Sequence, residues 1–160
     1  MTKDVLVASV LSLSMAVGAA MADAPAWESD PRYGTVELAG GFTPDPHEVM
    51  VRAGGALQVD HSLGPECAGH VAADRPDVDL NFEAGNLALY IRVASKVDTT
   101  LVIFGPDGRW YCNDDFIGLD PMVVFHNPHS GNYNIWVGTW DGADLGAEAV
   151  VRISEMNPAR

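Results

Sequence analysis

Six carboxylate or amide side chains fall between residues 98 and 120: Asp98, Asp107, Asn113, Asp114, Asp115 and Asp120. Carboxylates set this densely repel one another unless water solvates them or a cation is shared. Calcium is the ion such a loop suits, because it accepts six to eight hard oxygen ligands in flexible geometry. Asn113, Asp114 and Asp115 offer three of those ligands on consecutive residues. Asp120, beyond a turn at Gly118, is positioned by spacing to fold back onto the same ion, and Asp98 opens the neighbouring strand. The expected metal set is therefore Asp98, Asn113, Asp114, Asp115 and Asp120, with Ca2+ as the ligand. The spacing is not that of an EF-hand, which alternates its ligands and ends on a glutamate. The competing reading is a solvated acidic loop whose aspartates cap turns through local backbone amides.

Other chemistry finds less support. His126 and His129 straddle Pro128 in a loop, and His47, His61 and His70 are scattered through irregular segments. No Gly-x-Ser-x-Gly elbow and no His-Glu-x-x-His helix occurs. The chain is expected to be non-catalytic, with a small secreted hydrolase as the alternative. Most aromatics fall within strand patterns and read as core. Trp110, Tyr111 and Trp140 are the ones that would form a sugar-stacking platform if exposed beside the acidic loop.

The elements that must hold these residues read as strands. Residues 80, 82, 87, 89, 91 and 93 are apolar and alternate with less apolar neighbours, a period of two that marks half-buried strands. Residues 99–104 are a nearly continuous apolar run, as expected of a strand covered on both faces. Gly105-Pro106-Asp107-Gly108 is a strong turn signal that returns the chain as a hairpin at 109–112. Residues 122–125, 133–140 and 148–154 continue the pattern, and shorter candidates lie at 33–38, 48–52 and 56–60. Residues 61–79 carry glycine, proline and Cys67 and read mostly as loop. No sustained 3.6-residue period occurs beyond the N-terminus. Eight to ten short strands with Gly/Pro turns indicate a single all-β domain, a β-sandwich or jelly roll, over residues 33–156, with residues 98–140 as its acidic-loop core.

Residues 1–22 read as a cleaved signal peptide: Lys3, an apolar run over 5–19, then Ala20-Met21-Ala22 as a small-x-small cleavage pattern. That run is shorter than the ~20 residues needed to span a bilayer. Residues 23–32 are Pro- and Ala-rich and read as a flexible leader. Cleavage leaves 138 residues and does not change the net charge of −13, because Lys3 and Asp4 leave together. A chain this acidic is repelled by nucleic acid and by anionic membranes. Its charge suits an exported cation-binding protein, or simply one from a saline habitat. Cys67 and Cys112 are the only cysteines, and in an exported chain an even pair reads as a disulfide rather than two free thiols. The expected location is the periplasm or the extracellular medium, with no membrane insertion after cleavage.

Several of these segments together resemble the bacterial pre-peptidase C-terminal domains, small β-sandwich modules found beside secreted proteases and in other exported proteins. The resemblance rests on Asp98-Thr99-Thr100-Leu101-Val102-Ile103, Pro106-Asp107-Gly108, Asn113-Asp114-Asp115 and the run from Ser130 to Val137. It covers residues 80–154, about half of the mature chain. Some members bind calcium, so the resemblance implies a metal role for Asp98, Asp114 and Asp115; Asp120 comes from spacing alone. Two features depart from the pattern: no peptidase is attached, so an accessory role would act in trans, and the Cys67–Cys112 pair is additional. The function these readings imply is a non-catalytic calcium-binding module that recognises an exported protein or a polysaccharide. A structural envelope or matrix component is the remaining alternative.

Overall fold

A computed structural model describes residues 24–158; the signal-peptide expectation lies outside them. The described residues form eleven strands: β1 (Thr35–Ala39), β2 (His47–Arg52), β3 (Leu57–Gln58), β4 (His70–Val71), β5 (Val78–Glu83), β6 (Leu89–Ser95), β7 (Thr99–Phe104), β8 (Trp110–Asn113), β9 (Met122–Phe125), β10 (Gly131–Thr139) and β11 (Glu148–Ser154). They make two sheets that pack as a β-sandwich, with no closure into a barrel. The smaller sheet runs β2-β11-β6-β9 and is antiparallel throughout.

The larger sheet is built around β10. One edge of β10 pairs with β5 and, further along, with β4 at Thr139–His70; the other pairs with β7. Beyond these, β1 joins β5 in parallel, β3 joins β4 and β8 joins β7. The close approach of β4 to β10 depends on glycine: a Cβ at Gly138 would lie 2.6 Å from the His70 carbonyl oxygen.

Alternation decides what each face carries. Leu80, Phe82, Leu101, Ile103, Tyr133, Ile135 and Val137 point inward against Leu89, Ile91, Val93, Val151 and Ile153 of the facing sheet. Outside the larger sheet, Val102, Cys112 and Trp136 meet a second apolar cluster, closed by Val59, Cys67 and Val71. That outer cover is the segment between β3 and β4 and its flanks. It is fastened to β8 by the Cys67–Cys112 disulfide, 45 residues apart in sequence. Strand β7 is thus covered on both faces, which explains its nearly continuous apolar run.

The ends are pinned as well. Ser154 donates its hydroxyl to Asp45, and Asp45 also accepts the Glu155 backbone N–H at 3.0 Å. Residues 24–32, expected as a flexible leader, lie against the outer face. The Ala26 N–H donates to the Ala73 carbonyl at 2.9 Å and the Arg32 N–H to the Pro76 carbonyl at 2.8 Å. Among the described residues no helix is long and apolar enough to cross a membrane.

Candidate functional site

The hairpin β7–β8 and the end of β10 bring one part of the acidic loop together. Asp98 immediately precedes β7, Asp114 and Asp115 follow β8, and Asp141 lies two residues past β10. The Trp140 N–H donates to the Asp98 carbonyl at 3.2 Å, which ties the β10 end to this corner. Burial pushes the Asp98 carboxyl above the usual range, and the charges of Asp115, Asp114 and Asp141 push it further the same way. Crowded carboxylates disfavour one another's ionised forms, so the corner is one where added positive charge is favoured.

The other two residues of the expected set are engaged elsewhere. The Asn113 side-chain oxygen accepts the Met122 N–H at 2.9 Å, closing the 114–121 loop against β9. Asp120 sits 2.7 Å from Arg92 Nη2 on β6 and accepts the Ser95 N–H at 3.2 Å. Its charge is already neutralised by an arginine, and it is not among the charges that act on Asp98. Asp107 likewise has a local partner, accepting the Tyr111 hydroxyl at 2.6 Å. The five-residue calcium set therefore does not fit as a unit. Among the described residues no group of three or more His, Cys, Asp or Glu is placed to hold a metal ion.

The expected stacking aromatics also separate. Trp110 is half-buried, its ring 4.8 Å from Phe104 and 5.5 Å from Trp136 within the outer apolar cluster. Tyr111 packs against the inner core, edge-on to Phe125 at 4.9 Å. Trp140 alone of the three is exposed, and it stands beside the acidic corner. As for the histidines, His70 Nδ1 lies 3.3 Å from the Trp140 carbonyl, and the Tyr133 hydroxyl donates to the His129 carbonyl at 2.7 Å.

A second feature is written across the outer face of the larger sheet. The half near Cys112 and Trp136 is apolar and covered; the half toward β1 is polar and, apart from buried Asn134, at least partly exposed. There the register lines up Glu37, Asn81 and Asn132 as one rung, and Thr35, Asp79, Asn134 and Phe104 as the next. Two depressions of about 430 and 780 Å³ lie over these rungs and share Gly131 and Asn132, so they form one trough. Trp27, from the leader, borders it with its ring 4.9 Å from Phe104. Sequence reasoning set Asp79 and Asn81 on the polar face of β5 but missed the trough. The missing signals were a lone tryptophan in an aperiodic leader and two asparagines at i and i+2 on β10.

The chain matches no protein-family model and no curated protein.

Proposed function

We propose that this chain is a non-catalytic, exported β-sandwich module, of the kind it resembles, that recognises an extracellular polysaccharide or protein and takes calcium at its acidic corner. The disulfide supports export, since such bonds persist in oxidising compartments. The observation that carries the calcium reading is the upward push on Asp98 by burial and by Asp115, Asp114 and Asp141. Uptake requires those side chains to swing toward one another, which suits an ion tolerant of irregular oxygen geometry. Asn113 and Asp120 have no part in this smaller set. Calcium then acts on stability, because it binds only the folded corner.

The test is thermal unfolding in EDTA and with added calcium, for the parent and for Asp114→Asn/Asp115→Asn. At calcium one hundred times its Kd the folded state gains about 2.7 kcal/mol, which corresponds to a midpoint rise of roughly 10 °C for a domain of this size. The double substitution should abolish that rise. A midpoint that calcium leaves unmoved in the parent makes the corner ordinary solvated surface and ends the calcium reading.

A further inference from the structure

The trough over the polar half of the larger sheet has a chemistry of its own. A sugar ring presents two kinds of surface: a C–H face that packs on aromatics, and a rim of hydroxyls that each donate and accept. The trough offers both. Trp27 is 42% exposed, yet its ring is held by Phe104 and its neighbour Ala26 is tied to Ala73. An exposed tryptophan backed by a second aromatic is a rigid apolar platform that loses little conformational freedom on binding.

The polar rungs are also fixed before any ligand arrives. Asn132 donates through Nδ2 to Asn81 Oδ1 at 2.9 Å, and Asn81 donates through Nδ2 to Glu37 Oε1 at 2.7 Å. On the next rung Asn134 donates through Nδ2 to Asp79 Oδ1 at 2.8 Å. Asn132 and Asn81 each use one N–H on a neighbour and retain the second, while the outer oxygens of Asn132, Glu37 and Asp79 keep acceptor capacity; Asn134, 5% exposed, serves to hold Asp79 in place. Donors and acceptors thus recur at the strand spacing of about 4.8 Å on a scaffold that cannot collapse onto them.

Charge then selects among sugars. Glu37 and Asp79 lie on the rungs, with Glu28 and Asp30 on the rim, in a chain of net charge −13. Uronate-bearing and sulfated polymers are repelled from such a surface. We propose that this trough binds an uncharged polysaccharide, with Trp27 stacking on a sugar ring and the Glu37–Asn81–Asn132 rung, together with Asp79 held by buried Asn134, hydrogen-bonding its hydroxyls. The proposal rests on the recognition reading above and names its surface; it needs no calcium.

Affinity electrophoresis in EDTA tests it, with soluble xylan, β-glucan, galactomannan or starch cast in the gel, and with alginate and casein as the acidic-glycan and protein arms. At least one neutral polymer should retard the protein. Trp27→Ala should weaken that retardation about tenfold, the loss of one stacking contact. Asn132→Ala should weaken it too without disturbing the leader, and Trp140→Ala, at the acidic corner, should leave it unchanged. Circular dichroism of each variant separates lost binding from lost fold. Retardation by no neutral polymer, by alginate or casein alone, or undiminished by both trough substitutions overturns the proposal. Running in EDTA keeps this outcome separate from that of the calcium experiment.

Discussion

Asp77 is the most consequential titratable group in the fold, and its substitution by asparagine has a calculable effect. It lies on the outer face between β4 and β5, 1% exposed, and its Oδ2 accepts the Val137 N–H at 2.8 Å. Its Oδ1 has no hydrogen-bond donor; Arg32 Nη1 is 3.7 Å away, close enough to attract but too far to bond. Burial pushes the carboxyl up from 3.8 to about 7, against the pull of the Val137 N–H and Arg32 and with a small push from Asp74. At about 1.4 kcal/mol per unit, the difference amounts to about 4 kcal/mol between the two protonation states. The sign follows from linkage. A carboxyl whose folded pKa is raised holds its proton more tightly when folded, so its contribution is fully present below pH ~4 and is lost as pH rises through about 7.

Urea unfolding followed by tryptophan fluorescence, with buried Trp136 as the reporter, measures this from pH 4 to pH 8. Asp77→Asn keeps an oxygen for the Val137 N–H, carries no charge to desolvate and forgoes the Arg32 attraction. The two proteins should be nearly equal in stability at pH 4. At pH 8 the variant should exceed the parent by about 1–3 kcal/mol, the 4 kcal/mol being offset in part by the lost ion pair. Asp79 and Asp98 are also raised, and Asp60, Asp74 and Asp107 lowered, so the parent's slope alone is a mixture. The difference between parent and variant isolates Asp77. A difference that stays constant with pH, or a variant less stable at pH 8 than the parent, refutes the reasoning.

Two further outcomes follow from the same geometry. Replacing the disulfide with Cys67→Ser/Cys112→Ser opens a 45-residue loop and should lower stability by about 4 kcal/mol in urea unfolding; a loss under about 1 kcal/mol would mean the outer cover is held by packing alone. Asp120→Asn strands the mostly buried Arg92 guanidinium and should cost about 1–3 kcal/mol, whereas Asp115→Asn relieves pressure on Asp98 and should cost nothing; equal costs in parallel melts would place both aspartates in one charge cluster after all.

Much of this fold is legible in the chain because its cause is local. The alternation of Val78, Leu80 and Phe82 with Asp79 and Asn81 is the alternation of inner and outer face, and the structure shows both. The run Leu101–Phe104 of β7 is apolar on both sides because the β3–β4 cover supplies a second apolar layer. The eleven strands extend the expected eight to ten by pieces as short as His70–Val71, two residues too few for any period to register. The cysteine pairing needed only a count of two and the expectation of export. The acidic loop misled for the opposite reason. Asp120's partner, Arg92, is 28 residues upstream on the other sheet, and Asn113's is a backbone N–H nine residues on. Spacing shows which carboxylates are near in sequence; it does not show which have already been neutralised.

Strand β10 shows why the trough and the core are not separate inventions. Its outward positions run Asn132, Asn134, Trp136 and then Gly138, passing from partly exposed amide through buried amide to buried and apolar within one strand. Its inward side chains, Tyr133, Ile135 and Val137, are fully or almost fully buried. A slip of one residue would exchange the two sets and bury two amides without partners. The free energy that seats Ile135 in the core therefore also aligns Asn132 with Asn81, Asn134 with Asp79, and Phe104 with the ring of Trp27. Positioning the rungs costs no more than folding the sheet. What selection remained free to choose was their chemistry, and at Glu37, Asn81, Asn132, Asp79 and Asn134 that chemistry is carboxylate or amide at every position.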